Sequence, residues 1–200
     1  MTDILLIDLG GVLVDIDPGR TILGLAHASG LEPGEVFSRL ESTGAHLGID
    51  TGELSPTGLR EKICEALDRS IDHDVVVRAW ASWVAPIPRT SDVIGRLAKR
   101  HPLYLLSNTD PVHMEEVRRF GASWLDLFDG LFLSYEHGVL KPDPAFFERA
   151  LATFGLNPRD CVFLDDVKEN VDAAAALGIR AHQVPPGGLT MGFLEEIEIP

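Results

Sequence analysis

The stretch 4–11 constrains the fold more than any other part of the chain, because an apolar run ends there in Asp8 and is followed by Gly10 and Gly11. An apolar run without alternation is typical of a strand buried on both faces of a parallel sheet. Open α/β sheets bind ligands at the carboxyl ends of such strands, and glycine lets the backbone approach a ligand closely. We therefore predict that Asp8 lies at the mouth of a site, as a nucleophile or as a ligand for a hard cation. The alternative is an aspartate that only forms the turn after a strand.

Four more short apolar runs predict strands of the same kind, at residues 103–106, 131–133, 162–164 and 180–184. Segments with helical periodicity separate them, and this alternation predicts an α/β fold with a doubly wound parallel sheet. Right-handed crossovers bring the carboxyl ends of the strands to one edge of such a sheet. The polar residues that follow the strands are therefore expected to meet at that edge.

A block of predicted helices, residues 17–86, interrupts this alternation after the first strand. In the segment 57–67, for example, apolar residues recur every four positions, which is the spacing of one helix face. Residues 43–54 are rich in glycine and have no period, so we predict a loop there. We interpret residues 17–86 as an inserted helical cap, and residues 1–16 and 87–200 as the core.

The charge of the chain excludes several classes of partner. Its 200 residues carry a formal net charge of −14, whereas nucleic acids and anionic membranes are bound by clustered Lys and Arg. We expect no nucleic-acid and no membrane partner, although a local basic group still allows a small anionic substrate. The two cysteines, Cys64 and Cys161, lack metal-ligand spacing, and no signal peptide or membrane span is visible. A soluble, cytoplasmic protein is expected, with its oligomeric state left open.

Carboxylates follow two of the predicted strands, with Asp8 after the first and Asp165 and Asp166 after the fourth. Three carboxylates at one sheet edge are the hard oxygen ligands that Mg²⁺ prefers. Without a cation, their mutual repulsion would raise the pKa of a carboxyl group, and Mg²⁺ removes that penalty. The pattern therefore predicts a Mg²⁺ site.

The second strand and a nearby loop supply groups suited to phosphate. Ser107 and the amide of Asn108 follow the strand and would donate hydrogen bonds to phosphate oxygens. Lys141, in the loop between the third and fourth strands, is a point charge suited to phosphate and to restraining a carboxylate. Together with these groups, Asp8 could attack phosphorus, and water would then hydrolyse the aspartyl-phosphate.

Four motifs at these strand ends resemble those of the haloacid dehalogenase-like (HAD) hydrolase superfamily, and they occur in the family's order. They are Ile7-Asp8-Leu9-Gly10-Gly11-Val12, Leu106-Ser107-Asn108-Thr109, Leu140-Lys141-Pro142 and Val162-Phe163-Leu164-Asp165-Asp166. The resemblance covers the chain to about Gly178 and implies a Rossmann-like core with a helical cap inserted after the first strand. The first motif is similar to that of glucose-1-phosphate phosphatases, and the cap segment 52–55 to that of the epoxide-hydrolase phosphatase subgroup.

The resemblance also implies roles for the core residues. Asp8 is expected to be the nucleophile and a Mg²⁺ ligand, and the carbonyl oxygen of Gly10 is expected to bind the same ion. Asp166 is expected to ligate the metal directly, with Asp165 beside it or acting through water. Lys141 is the second expected catalytic residue.

Further residues are expected to contact the substrate. By the resemblance, Ser107, Asn108 and Lys141 hold the phosphoryl group, and we add Gly11 because its backbone can approach a ligand. His46, in the glycine-rich segment of the cap, is another candidate, since such a loop can project toward the site. The alternative for His46 is a solvated loop histidine.

The chain departs from the superfamily at Gly10, because most of its phosphatases carry there a second aspartate that serves as general acid and base. Loss of a general acid typically costs about 10²–10⁴-fold in rate. Three explanations remain open. The leaving group departs unaided, as the anomeric hydroxyl of a sugar 1-phosphate can; the cap supplies a substitute, with His46, Asp50 or Glu53 as candidates; or the protein is a poor catalyst or none.

We interpret the chain as a Mg²⁺-dependent phosphatase of small phosphorylated metabolites, with sugar phosphates as the expected class. One alternative is a non-catalytic phosphate-binding or regulatory protein, which Gly10 favours. A haloacid dehalogenase is the other, and the pair Asp165-Asp166 argues against it because that reaction needs no metal. Trp80 and Trp83, at helical spacing, are expected in the cap core, with a platform that stacks on a sugar as the alternative. His113 is expected on the surface, with a substrate contact as the alternative.

Overall fold

The computed structural model describes residues 3–199, apart from the side chain of Ala122. Met1, Thr2 and Pro200, which the predicted core includes, lie outside the described residues. The strands are β1 Ile4–Ile7, β2 Val14–Ile16, β3 Val84–Pro86, β4 Leu103–Ser107, β5 Gly130–Leu133, β6 Cys161–Asp165 and β7 Arg180–Gln183. The α-helices are α1 Pro18–Ser29, α2 Pro33–Glu41, α3 Ala45–Asp50, α4 Pro56–Leu67, α5 His73–Ala81, α6 Thr90–Leu97, α7 Pro111–Leu125, α8 Ser134–His137, α9 Pro144–Phe154, α10 Lys168–Ala176 and α11 Met191–Glu196. Within the described part of the chain, every helix is too short or too polar to cross a bilayer.

Among the described residues, five strands form one parallel sheet in the order β5-β4-β1-β6-β7. The central strand β1 pairs with β4 on one side and with β6 on the other, so that Leu6 lies opposite Tyr104 and Phe163. These are the five predicted strands, and the prediction of an α/β doubly wound parallel sheet is confirmed. The order places the ends of β1, β4 and β6 side by side.

Both faces of the sheet are buried, which holds the strand ends in place. Along β1, successive side chains point to opposite faces. Leu5 and Ile7 belong to the apolar cluster on one face, whereas Leu6 packs with Phe132 and Phe163 in the cluster on the other. Side chains at the carboxyl ends of the strands therefore project from a rigid support.

A two-stranded antiparallel ribbon connects the sheet to the helical block. β2 pairs with β3, with Val14 opposite Pro86, and α1–α5 lie between these two strands in the chain. The helices have an apolar cluster of their own, which includes Leu25, Ile63 and Val76. The ribbon lies close to the predicted boundaries of the cap, and the division into core and cap at residues 17 and 86 stays a prediction.

The predicted loop at residues 43–54 is wrong in part, because α3 lies within it. The helix has only six residues and contains Gly48, so no helical period can be recognised. The packing of α3 within the helical block decides the conformation of this segment. Gly48 lies so close to Leu54 that a Cβ at Gly48 would be 2.9 Å from the side chain of Leu54. The tail after Gly187, which had no assignment, contains α11, and Leu194 of this helix is buried in the core.

Candidate active site

A pocket of about 310 Å³ lies at the carboxyl edge of the sheet, and residues of the core and of the helical block line it together. The polar lining residues include Asp8, Ser107, Asn108, Lys141 and Asp166 from the core, and His46 and Asp50 from the helical block. The structure thus brings together at one place most of the residues that the sequence singled out.

Lys141 holds two carboxylates together in this pocket. Its Nζ lies 2.8 Å from Oδ1 of Asp8, and it donates to Oδ2 of Asp165 at 2.6 Å and to the carbonyl oxygen of Leu106 at 3.0 Å. An ammonium group has three N–H bonds, so all of them are directed to protein acceptors. In this arrangement Lys141 positions the two carboxylates, and its contact with a phosphoryl group stays a prediction.

The buried charges around Lys141 do not cancel, because the two carboxylates of Asp8 and Asp165 share one ammonium group. Burial raises the pKa of Asp8 to about 7; the charge of Lys141 opposes the rise, and that of Asp165 adds to it. Burial would lower the pKa of Lys141, but the carboxylates of Asp8 and Asp165 raise it above its ordinary value. A further positive charge beside Asp8 would therefore favour its ionised form at neutral pH.

The carboxylates at this edge fit a hard cation. Among the described residues, Asp8, Asp165 and Asp166 each place one oxygen within 4.8 Å of the others. Asp165 already accepts hydrogen bonds from Nδ2 of Asn170 at 3.1 Å and from the N–H of Val167 at 2.8 Å. Oδ1 of Asp166 is buried and has no hydrogen-bond partner among the described residues. The free oxygens of Asp8 and Asp166 thus suit Mg²⁺, and Asp165 serves to hold its neighbours in place.

The turn after β1 carries Gly10 and Gly11 past these carboxylates. The N–H of Val14 donates to the carbonyl oxygen of Leu9 at 3.0 Å, which closes the turn. Gly11 has a φ of +71°, and a Cβ there would collide with the carboxylate of Asp166, so this approach requires glycine. Gly10 lines the pocket, whereas Gly11 lies against Asp166 and outside the lining. The structure therefore does not bring Gly11 to the place expected of a substrate contact.

Strand β4 ends at the pocket in Ser107 and Asn108. Nδ2 of Asn108 donates to the backbone carbonyl oxygen of Lys141 at 2.9 Å, and Oδ1 accepts from the backbone N–H of Lys141 at 2.8 Å. The side chain of Asn108 therefore positions the loop that carries Lys141. Among the described residues, the hydroxyl of Ser107 donates only to the carbonyl oxygen of Asn108, at 3.3 Å. Since that bond is long, the Ser107 hydroxyl can turn toward a ligand.

The helical block closes the other side of the pocket. His46 and Asp50 lie one turn apart on α3, and Nε2 of His46 is 3.2 Å from Oδ2 of Asp50. The ring of His46 stacks on Trp83 with 4.8 Å between centroids. Asp50 is only 6% exposed, and its Oδ1 has no hydrogen-bond partner among the described residues.

A second buried acidic group, Asp110, lies at the start of α7. Nδ1 of His113 donates to Oδ2 of Asp110 at 2.8 Å, and Nε2 of His113 faces the carbonyl oxygen of Trp80 at 3.1 Å. Both ring nitrogens of His113 therefore face acceptor oxygens. Burial would raise the pKa of Asp110, but the hydrogen bonds and charge of His113 and the indole N–H of Trp80 hold it below its ordinary value.

Asp50 and Asp110 therefore differ in protonation. Burial raises the pKa of Asp50 to about 7, with the negative charge of Asp110 adding to the rise and His113 opposing it. Near neutral pH, Asp50 carries a proton for much of the time, whereas Asp110 is ionised. Two nearby carboxyl groups whose pKa values are pushed apart are typical of acid–base chemistry.

Comparison with known proteins identifies the chain. A profile of haloacid dehalogenase-like hydrolases matches residues 2–178. The chain belongs to this family. It is 30% identical over 191 residues to D-ribitol-5-phosphate phosphatase of Bacteroides thetaiotaomicron, a match that covers 90% of each chain. A HAD family enzyme from Bacteroides thetaiotaomicron, crystallised with magnesium and inorganic phosphate, has a TM-score of 0.87 and 28% identity and covers 97% of this chain and 99% of its own. L-2-haloacid dehalogenase from Xanthobacter autotrophicus shares the fold, with a TM-score of 0.65 and 18% identity, covering 98% of this chain and 82% of its own.

In this HAD hydrolase, the position two residues after Asp8 is Gly10, which carries no acid, and the side chain of Ile16 lies close to it. A Cβ at Gly10 would lie 3.3 Å from Cγ2 of Ile16, whose side chain lines the pocket. A side chain at this position would therefore require Ile16 to shift by a few tenths of an ångström. Any acid that serves the leaving group has to come from elsewhere in the pocket.

The expectation of a surface position for His113 is wrong, because the residue is 6% exposed and lines the pocket. The sequence signal for a position in the pocket was the place of His113 in the first turn of α7, directly after the carboxyl end of β4. The helical block covers this part of the chain. Trp80 is buried in the cluster of the block, as predicted, but Trp83 is only partly buried and lines the pocket.

The pKa of Asp50 predicts how stability changes with pH. Between pH 3.8, which is the ordinary pKa of the group, and a pH of about 7, which is its pKa in the folded chain, Asp50 binds a proton that the unfolded chain has lost. The contribution of Asp50 to stability therefore falls as pH rises through this window, by an amount on the order of a few kcal/mol, since one pKa unit is about 1.4 kcal/mol. We expect urea unfolding to show that Asp50→Asn loses less stability than the parent chain between pH 5 and pH 8. Identical pH dependence of the two proteins would contradict this, and the exposed Glu53→Gln serves as the matched control.

Proposed function

We propose that this HAD hydrolase is a Mg²⁺-dependent phosphatase of small phosphorylated metabolites, with sugar and sugar-alcohol phosphates as its substrate class. The observation that carries the proposal is the position of Asp8. Its buried carboxylate ends the central strand, lies 2.8 Å from Lys141 and shares a pocket with the unpartnered oxygen of Asp166. This arrangement suits a nucleophile that must be held still beside a cation.

Asp8 supplies the nucleophilic oxygen in the proposed reaction. Lys141 lies 2.8 Å from Oδ1 and holds the carboxylate in place, while one oxygen of Asp8 attacks phosphorus and the other can ligate the metal. The bond between phosphorus and the leaving oxygen breaks as the aspartyl-phosphate forms. Water then attacks the phosphorus of this intermediate, which releases inorganic phosphate and restores Asp8.

The chain's own residues would hold both the phosphoryl group and the metal. The Ser107 hydroxyl is free to donate to a phosphoryl oxygen. Asp8, Asp166 and the carbonyl oxygen of Gly10 would hold Mg²⁺, with Asp165 fixed by its own hydrogen bonds. Bound Mg²⁺ supplies positive charge that neutralises the carboxylates and the phosphoryl oxygens.

Three observations support the substrate class. The pocket of about 310 Å³ is at the small end of ligand sites, which span roughly 300–1,000 Å³. The relative at 30% identity is a D-ribitol-5-phosphate phosphatase, and the match covers 90% of both chains. His46 and Asp50 of the helical block also line the pocket and offer polar groups to a hydroxylated leaving group.

We expect the purified chain to release inorganic phosphate from D-ribitol 5-phosphate, glucose 1-phosphate or related sugar phosphates only when Mg²⁺ is present. Excess EDTA should abolish the release, and added Mg²⁺ should restore it, because the unbalanced carboxylates at Asp8, Asp165 and Asp166 need a cation. A phosphate-detection assay over a panel of phosphates measures this, with chloride release from 2-chloropropionate as a parallel assay.

The outcomes separate the candidate functions. Phosphate release that persists in excess EDTA would contradict the proposed metal site. A folded chain that binds phosphate but releases none from any substrate would favour a binding or regulatory protein instead. Chloride release without phosphate release would indicate a dehalogenase.

A further inference from the structure

The proposed reaction needs a proton for the leaving group, and Gly10 cannot supply it. Three carboxylic acids line the pocket among the described residues, Asp8, Asp50 and Asp166. In the proposed function, Asp8 attacks phosphorus and Asp166 binds the metal. Asp50 is the remaining carboxyl group, and it belongs to α3 of the helical block.

The surroundings of Asp50 suit a carboxyl group that carries a proton. The residue is 6% exposed, and Oδ1 has no hydrogen-bond partner among the described residues. Oδ2 faces Nε2 of His46 at 3.2 Å. An ionised carboxylate with an unpartnered buried oxygen is unfavourable, whereas a neutral carboxylic acid can donate its O–H to a ligand that enters the pocket.

The histidines of the pocket are less suited to this role. His113 has both nitrogens engaged, at 2.8 Å from Asp110 and 3.1 Å from the carbonyl oxygen of Trp80. The side chain of His46 is 55% exposed, compared with 9% for Asp50, so solvent reaches its ring more readily than the carboxyl group of Asp50. Glu53, the other acid considered in this segment, is exposed and does not line the pocket.

Contacts with the core hold this part of α3 over the pocket. Gly52 follows the helix with a φ of +74°, and a Cβ there would collide with the carbonyl oxygen of Tyr135 in α8. The close approach of the two backbones fixes the end of α3 against the core, two residues after Asp50. Asp50 is therefore part of the closed pocket wall in the folded chain.

We propose that Asp50 is the general acid and base of the reaction, and that it takes the place of the acid missing at Gly10. This inference rests on the proposed phosphatase function. As the bond from phosphorus to the leaving oxygen breaks, the proton on Asp50 passes to that oxygen. In the second step, a proton of the attacking water returns to Asp50, the water oxygen bonds to phosphorus, and the bond between Asp8 and phosphorus breaks.

The raised pKa of Asp50 is consistent with this cycle. The charged groups that face it are Asp110, which raises the pKa, His113, which lowers it, and His46 on its own helix. A group with a pKa of about 7 can both give and accept a proton near neutral pH.

The test compares two substrates in Asp50→Asn. The leaving group of D-ribitol 5-phosphate is an alcohol, which needs a proton. The leaving group of p-nitrophenyl phosphate is a stable phenolate, which does not. We expect Asp50→Asn to lower kcat for D-ribitol 5-phosphate by about 10²–10⁴-fold while changing kcat for p-nitrophenyl phosphate by less than about tenfold. Should the parent not accept D-ribitol 5-phosphate, the sugar phosphate that it hydrolyses fastest replaces it.

Two further variants make the test decisive. Glu53→Gln, which removes an exposed acid from the same segment, should leave both activities unchanged. Asp50→Glu, which keeps a carboxyl group, should retain more activity on the sugar-alcohol phosphate than Asp50→Asn. Circular dichroism and thermal unfolding verify that each variant is folded.

The possible failures are distinguishable. An equal loss on both substrates in folded Asp50→Asn would overturn the inference, because it would show a role in binding or shape. Unchanged activity on both substrates would overturn it as well. In either case the phosphatase function of the parent would stand, whereas a parent chain that releases phosphate from no member of the panel would overturn the proposed function itself.

Discussion

Replacement of Asp8 by asparagine is expected to abolish phosphate release. Asparagine keeps the shape of the side chain, but its amide cannot attack phosphorus and offers a poorer ligand to Mg²⁺. Removal of a nucleophile that acts together with its partners lowers kcat by ~10⁴-fold or more. Phosphate release from the best substrate of the panel, measured at saturating Mg²⁺, gives this ratio.

A direct assay of the intermediate strengthens this prediction. Acid quenching during turnover of a ³²P-labelled substrate should trap label on the parent chain and none on Asp8→Asn. Asp15→Asn is the matched control, because Asp15 is an exposed aspartate on β2 that pairs with Arg20 at 2.6 Å. Label retained on Asp8→Asn at the level of the parent would show that another residue is the nucleophile.

Replacement of Lys141 by methionine is expected to destabilise the folded chain more than any surface substitution. The ammonium group is 1% exposed and donates to Asp165, Asp8 and the carbonyl oxygen of Leu106. Methionine fills a similar volume but leaves two buried carboxylates without their cation, and breaking such a buried pair typically costs about 3–5 kcal/mol. Urea unfolding at pH 7 in EDTA measures the loss.

Lys168→Met is the matched control for this prediction. Lys168 pairs with Asp172 at 2.6 Å, but its side chain is 64% exposed, so its loss should change stability by less than about 1 kcal/mol. The double variant Lys141→Met/Asp8→Asn should recover part of the stability, because one of the two uncompensated charges is then gone. Equal unfolding midpoints for Lys141→Met and the parent would contradict the assignment of Lys141 as the buried counter-charge.

The sequence by itself determined the sheet and the place of its ligand edge. Short apolar runs mark β1, β4, β5, β6 and β7 because a strand covered on both faces needs apolar residues at consecutive positions. A parallel arrangement sends the carboxyl ends of these strands to one edge. Asp8, Ser107 and Asp166 could therefore be assigned to one site before any distance was known, and the structure places all three in one pocket.

Other properties of the site depend on contacts between distant segments, which no local pattern shows. Lys141 donates its N–H groups to acceptors of the core, and Asn108 holds the backbone of Lys141. The phosphate contacts that the sequence suggested for these two residues stay predictions. The saturation of a side chain by its neighbours becomes visible only when those neighbours are in place.

The helical block shows most clearly what the tertiary structure alone decided. A six-residue helix with a glycine has no readable period, so α3 was predicted as loop. Packing of that helix against the core buries Asp50 beside Asp110 and raises its pKa. The sequence determined where the chemistry takes place, because strand ends follow from local apolar runs. Only the folded chain decided which acid carries the proton, because burial and neighbouring charge are properties of the assembled pocket.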